Sequence, residues 1–371
     1  MMDRSTDFLV IGAGMAGASV AAHLAKDASV RVIEMESQPG YHSTGRSAAL
    51  FSETYGNATI RALSRASRAT FLAPPGDFAA TPLVRPRLVL AFGHAGQEAA
   101  FEAFPDRQAP EGQLAAIDPA RTLELCPILR REQLLGGWVD RNAADIEVHE
   151  LQQSYLRQLR QRGGALVTDA RVSALERDID GWRVQCGDSS FRAGILINAA
   201  GAWAGDIGAM AGAAEIGLQP CRRTAALVDA NVGPDWPMIV DVEERFYAKP
   251  DAGLLLASPA DETPSAPCDA YPEDLDVAIA IDRLQGATTL EIRRVRRRWA
   301  GLRSFVRDRS PVVGFDPRQP TFFWLAALGG YGIQTAPALS RVAASLALDR
   351  PIDEDILQQG FDKSDVSPAR L

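Results

Sequence analysis

Lysine is nearly absent from this chain: Lys26, Lys249 and Lys363 stand among 39 basic residues, and the other 36 are arginines. We read that bias as coding composition rather than chemistry. Cysteine is scarce too. Cys126, Cys186, Cys221 and Cys268 lie far apart and form no C-x-x-C pair, which excludes a structural zinc site and a disulfide framework, so no metal is expected. No apolar run reaches the roughly 20 residues of a membrane-spanning helix, and the N-terminus enters a strand pattern without the basic region and cleavage site of an export signal. The expectation is a cytoplasmic protein, at most peripheral to the inner membrane. Positive charge is also in deficit, with a net charge of −8, which argues against a nucleic-acid partner, since that binding rests on phosphate neutralisation. A hydrophobic fraction of 46% with 23% charged residues excludes disorder, collagen and coiled coil. The 371 residues suffice for one large or two intertwined domains.

What is present begins at Asp7. The run DFLVI ends in Gly12-Ala-Gly14-Met-Ala16-Gly17, followed by helical composition to Lys26 and a second strand, VRVIE, closing on Glu34. This is a βαβ unit carrying a dinucleotide fingerprint. Gly12 permits the tight turn, Gly14 admits a pyrophosphate to the backbone, and Gly17 lets helix and strand pack closely. The pyrophosphate would sit at the positive end of the helix. Glu34 is placed to accept hydrogen bonds from an adenosine ribose, with Met35 beside it, which disfavours NADP. The next stretch, Gln38 to Ala49, is rich in small and hydroxyl residues: Ser43, Thr44, Gly45, Arg46, Ser47, Ala48 and Ala49 suit backbone pressed against a second phosphate and a flavin ring. A simple NAD domain has no evident need for it.

Further along, helical spacing covers Thr59 to Phe71, residues 82–92 read as strand, and Pro119 to Leu129 as a helix with a loop. The pattern predicts a helix over 145–162, ended by Gly163-Gly164 as a C-cap would end it. Val172 to Leu175 and Trp182 to Cys186 read as a hairpin. The buried-strand pattern GILIN opens into a second small-residue turn with Ala200, Gly201 and Trp203. From Leu218 to about Val306 the pattern turns to β. The tail from Phe322 is strand, then a third glycine turn (Gly329, Gly330, Tyr331, Gly332, Ile333, Gln334), then a helix near Thr335.

These motifs in this order resemble the D-amino-acid oxidase-like flavoproteins, and within them the FAD-dependent D-arginine dehydrogenase group, through IGAGMAGAS, QPGYHSTGRSAA, INAAGAW, FYAKPDAG, WAGLRSF and GGYGIQT. The resemblance implies an α/β fold: a Rossmann-like, glutathione-reductase-type FAD domain (1–80, 145–218 and 302–371) with an inserted α+β substrate domain on a mostly antiparallel sheet (81–144 and 219–301). It implies non-covalent FAD bordered by the three glycine turns, Leu50 and Val172, and hydride transfer from the Cα of a D-amino acid to flavin N5, giving an imino acid that hydrolyses to a 2-oxo acid and ammonia. The electron acceptor would be a quinone or another carrier. By motif, Arg223 and Arg303 would grip the substrate carboxylate, a task that suits guanidinium forks. Tyr55 and Tyr247 would add hydroxyls, and the backbone at Gly330 would accept from the amine.

Two departures bear on specificity. The D-arginine enzymes have a histidine at the position of Leu50 and a glutamate, thought to read the guanidinium, at that of Val89. A pocket walled by Leu50, Ser52 and Val89 is therefore expected to favour apolar or medium-sized side chains over arginine, because a buried guanidinium would lose its charge partner. Glu53 is a candidate replacement acid. His23, His42, His94 and His149 are not read as a catalytic base. A glycine- or sarcosine-type amine oxidase and a non-catalytic FAD-binding subunit are the competing readings; an NAD-linked dehydrogenase lacks a second fingerprint.

Overall fold

The computed structural model describes residues 5–108 and 112–371. The first strand, β1 (Thr6–Ile11), the helix α1 (Met15–Leu24) and the second strand, β2 (Val30–Ile33), form the expected βαβ unit. β1 and β2 run parallel, with Phe8 opposite Val30 and Ile11 opposite Ile33. Leu9 and Val10 are fully buried, as a parallel strand covered on both faces requires. The sheet continues with Ala165–Val167 beside β2, Ser189–Asn198 beside β1, and Phe322–Ala326 beside that strand, all parallel. The hairpin Ala174–Asp178/Gly181–Cys186 and the strand Val312–Phe315 add antiparallel margins. Helix α1 packs against the helices Val148–Gln161 and Ala336–Ala347 on one face. Trp182, Phe322 and Trp324 build the core of the other with the helix Ala204–Met210.

A second sheet of nine strands carries the rest. Gln219–Val228 lies between Leu254–Ser258 and the long strand Val295–Phe305, and the short Thr263–Pro264 also pairs with it. Beyond Leu254–Ser258 come Tyr247–Asp251, Met238–Asp241, Val89–His94, Leu134–Asp140 and Ala115–Ile117. All pairings are antiparallel except Met238–Asp241 with Val89–His94.

Three local readings are corrected. The segment 82–92 is two strands, because Val84–Pro86 joins a small three-stranded sheet while Val89–His94 enters the large one. The helix expected from position 145 begins at Val148, since Ala144–Ile146 pairs with Leu50–Phe51 and Val84–Pro86. There Asp145 is held by Lys249 Nζ at 2.7 Å and Arg87 Nε at 2.8 Å. The region read as β also contains the helix Asp274–Ala287. Among the described residues no helix is long and apolar enough to cross a membrane.

Candidate active site

Two cavities meet between the sheets. The first is a groove running along the C-terminal ends of β1 and β2, where open α/β sheets place their ligands. Its floor is the glycine turn. Gly12 has φ +99°, and a Cβ there would lie 2.6 Å from the Ala199 carbonyl oxygen; a Cβ on Gly17 would lie 1.9 Å from that of Gly12. Only glycine fits either place. Gly14 and Ala16 line the groove at the start of α1, where the Met15 amide donates to Thr44 Oγ1 at 3.0 Å. At the end of β2, Glu34 is buried, its Oε2 accepting from the Ala13 amide at 2.7 Å and its Oε1 from that of Glu36 at 3.0 Å. Met35, Arg171 and Val172 border the same end.

The hydroxyl-rich stretch runs along one wall, with Ser43, Thr44, Arg46, Ser47 and Ala48 facing the groove. Ser43 Oγ donates to the Leu302 carbonyl at 2.6 Å, and Arg46 Nη1 donates to the carbonyls of Ala270 and Ala300 at 3.0 Å. Gly45 does not line the groove; its amide closes the turn on the Gly40 carbonyl at 2.8 Å. Ala200, Gly201 and Trp203 form the second border, and Gly329, Gly330, Gly332 and Ile333 the third. One channel thus joins a glycine cradle, a buried acid at the end of β2 and two further close-approach turns. These residues fit FAD.

The second cavity, of about 490 Å³, adjoins the groove and is within the range of small-molecule pockets. Ser47, Ala48, Arg223, Tyr247, Arg303, Gly330 and Ile333 line both. Strand pairing explains why the two arginines meet. Arg223 stands opposite Gly301 and Arg303 opposite Cys221, so they are diagonal neighbours on one sheet face. Their surroundings differ. Arg303 has no carboxylate partner among the described residues: burial works against its charge, yet Tyr55 and Tyr247 beside it leave its pKa above the usual guanidinium value. Arg223 is occupied, donating from Nε to the Asp261 carbonyl at 2.7 Å and from Nη2 to Glu262 Oε1 at 3.0 Å. The Tyr55 ring packs tilted against that of Tyr331, centroids 4.9 Å apart, and the pKa of Tyr331 is raised by burial and then by the charge of Tyr55.

Leu50, Ala49, Ser52, Val89, Tyr331 and Gln334 line this second cavity. Gln334 Oε1 accepts from the Ser52 amide at 3.3 Å. Glu53 is not among the lining residues; it pairs with Arg68 at 3.4 Å, and burial raises its pKa. The sequence reading missed several wall residues, among them Asp140, Met238, Phe246, Glu262 and Arg309. Asp140 matters most for specificity. It is the cross-strand partner of Val89, so both side chains leave the same sheet face. Its carboxylate is buried, with Oδ2 accepting from Ser52 Oγ at 2.8 Å and Thr54 Oγ1 at 3.3 Å, and Oδ1 from the Asn142 amide at 2.9 Å. The lack of an acid at position 89 therefore does not leave the cavity without one.

Residues 7–346 match the model of the DAO family, FAD-dependent oxidoreductases. Similar curated proteins include the FAD-dependent oxidoreductase domain-containing protein 1 of Bos taurus, 27% identical over 42% of this chain and 36% of that protein. Mitochondrial dimethylglycine dehydrogenase of Homo sapiens is 28% identical over 38% of this chain and 17% of its own length. The chain thus spans well under half of either relative. Glycine oxidase of Bacillus licheniformis is 22% identical over 96% of this chain and 97% of its own. Among solved structures, glycine oxidase from Geobacillus kaustophilus superposes with a TM-score of 0.85 at 19% identity, covering 99% of both chains. L-proline dehydrogenase from P. horikoshii does so with 0.82 at 20% identity, covering 100% of this chain and 98% of that one. At such identities the superpositions speak to the fold alone. The family model spans nearly the whole chain, and the chain belongs to the DAO family of FAD-dependent oxidoreductases.

Proposed function

We propose that the chain oxidises amino acids of D configuration to imino acids, which hydrolyse to 2-oxo acids and ammonia. FAD, when bound, supplies the acceptor for the hydride leaving Cα. The carrying observation is Arg303, a guanidinium without a carboxylate partner on the wall shared by the cofactor groove and the cavity. A half-buried cation of that kind is matched by an anionic substrate group, and a carboxylate offers the two acceptors its fork needs. Tyr55 and Tyr247 hydroxyls stand beside it. The Gly330 backbone, lining both cavities, is placed to accept from an amine. No histidine or lysine lines the cavity among the described residues, which supports a reading in which the amine binds after losing its proton to solvent. The D configuration rests on the motif resemblance.

The cavity suits a medium-sized side chain. Leu50, Val89, Met238, Val240 and Phe246 give it apolar walls, and the oxygens of Asp140 already accept from two hydroxyls and an amide, which supports low activity on arginine. The buried Asp140 itself favours a second reading, in which a cationic side chain is taken there. Among the described residues no lysine or cysteine lines the groove; a dehydrogenase with dissociable FAD, passing electrons to a quinone or another carrier, is the reading that the motif resemblance supports.

The test is an anaerobic titration of the FAD-loaded protein with D- and L-amino acids, glycine, sarcosine and D-proline, following the visible flavin band. Bleaching by apolar D-amino acids with D-arginine weak is the expected result. D-arginine giving the highest kcat/KM selects the Asp140 reading, and bleaching by glycine or sarcosine alone selects an amine oxidase of that type. No bleaching by any amine would overturn the enzymatic reading in favour of a non-catalytic FAD subunit.

A further inference from the structure

The carboxylate seat holds a carboxylate belonging to the protein. Glu262 lies in the proline-rich segment that follows the strand Leu254–Ser258 and lines the second cavity. Its Oε1 accepts from Arg223 Nη2 at 3.0 Å and from Arg309 Nη2 at 2.9 Å, while its Oε2 accepts from the same Arg309 nitrogen at 3.0 Å. Arg309 is fixed in turn by stacking on the Phe305 ring, 3.9 Å from its centroid. The neighbouring residue anchors the segment: the Thr224 amide and hydroxyl donate to Asp261 at 2.7 and 3.1 Å, and the Asp261 carbonyl takes Arg223 Nε. One fork of Arg223 is thus filled from within, whereas Arg303, its diagonal neighbour, has none of its fork taken by an acid.

We propose that Glu262 is a resident competitor for the substrate carboxylate, released from Arg223 onto Arg309 when an amino acid binds. This rests on the carboxylate seat of the function proposed above. Arg303 engages the incoming carboxylate first. Arg223 completes the grip only after Glu262 lets go, and the exchange is cheap because both Glu262 oxygens already have Arg309 as a partner. The apparent affinity for any carboxylate is lowered by the fraction of molecules in which Glu262 holds the fork. Glu262 is accordingly a determinant of affinity for carboxylated ligands and of little consequence for amines that lack the group.

The experiment compares the wild-type holoenzyme with Glu262→Gln, measuring KM for a D-amino acid that the titration above identifies and, separately, the dissociation constant of isovalerate from its perturbation of the flavin band. Weakening the competitor is expected to tighten isovalerate about two- to fivefold, the range for a partly exposed ion pair, and to lower KM alike, with isoamylamine binding unmoved. Arg309→Gln removes the refuge and is expected to act oppositely, so the idea is tested even where one variant fails to hold FAD. Weaker isovalerate binding in Glu262→Gln would show that Glu262 serves to position Arg223, and unchanged binding would show that it is never displaced; either result overturns the proposal. Isovalerate binding needs no turnover. A seat that responds as expected in a protein oxidising no amino acid would sink the proposed reaction and leave this inference standing.

Discussion

Arg303 lies against the backbone of Gly330 so closely that a Cβ on residue 330 would sit 2.6 Å from Nη1 and 2.7 Å from Cζ of the guanidinium. The absent side chain is what lets the cation rest flat on the third glycine turn, at the edge common to both cavities. Gly330→Ala should fold, because the nearest atoms are the end of a flexible side chain, but the guanidinium must move to relieve the contact. A displacement of about 1 Å at such a site costs roughly a hundredfold in kcat/KM. We expect that loss with FAD content intact, measured by turnover and by the visible absorbance of the purified variant. Unaltered kinetics would refute the placement of the substrate carboxylate on Arg303.

Glu34 spends both oxygens on backbone amides, Ala13 at one side and Glu36 at the other. Replacing it by glutamine turns one acceptor into a donor that must face an N–H, leaving a buried amide unpaired. Such a loss is worth about 1–3 kcal/mol, and it falls on the turn that carries Gly12 and Gly14. Glu34→Gln is expected to weaken FAD binding by about tenfold to a hundredfold, read from free-FAD fluorescence on dilution. Equal retention of FAD by both proteins would remove Glu34 from the cofactor site.

The βαβ unit was legible in the sequence because its determinants are local: an apolar run, three glycines at fixed offsets and an acid closing the next strand. The arginines were identified by motif, but their unequal state was not. Arg223 is neutralised by Glu262, 39 positions away, through a loop whose path no periodicity encodes. The acid beside Val89 was missed for a related reason. Alternation along one strand says which face a residue takes, whereas the register that sets Asp140 beside Val89 is a property of two strands. The helix Asp274–Ala287 hid because Leu275, Val277, Ile279 and Ile281 alternate as a strand would. Its buried set, Val277, Ala280, Leu284 and Ala287, follows the helical period instead.

His23 gives the protein a pH-dependent stability unrelated to catalysis. It stands on α1 with its ring 6.1 Å from that of Tyr155. Burial, and then the charges of Lys26, Arg162 and Arg341, pull its pKa from 6.5 down to about 3. In the unfolded chain the imidazole keeps its ordinary value. Between the two values the unfolded state binds the proton and the folded state refuses it, so stability is full above about pH 6.5 and declines as the pH falls towards about 3. At about pH 5 the loss should be on the order of 2 kcal/mol. Thermal unfolding of the FAD-loaded protein across this range, compared with His23→Gln, isolates the contribution, because glutamine cannot titrate and every other group is shared. The wild type is expected to lose more stability on acidification than the variant, whatever their difference at neutral pH. Parallel pH profiles for the two proteins would show that His23 accepts its proton in the folded state.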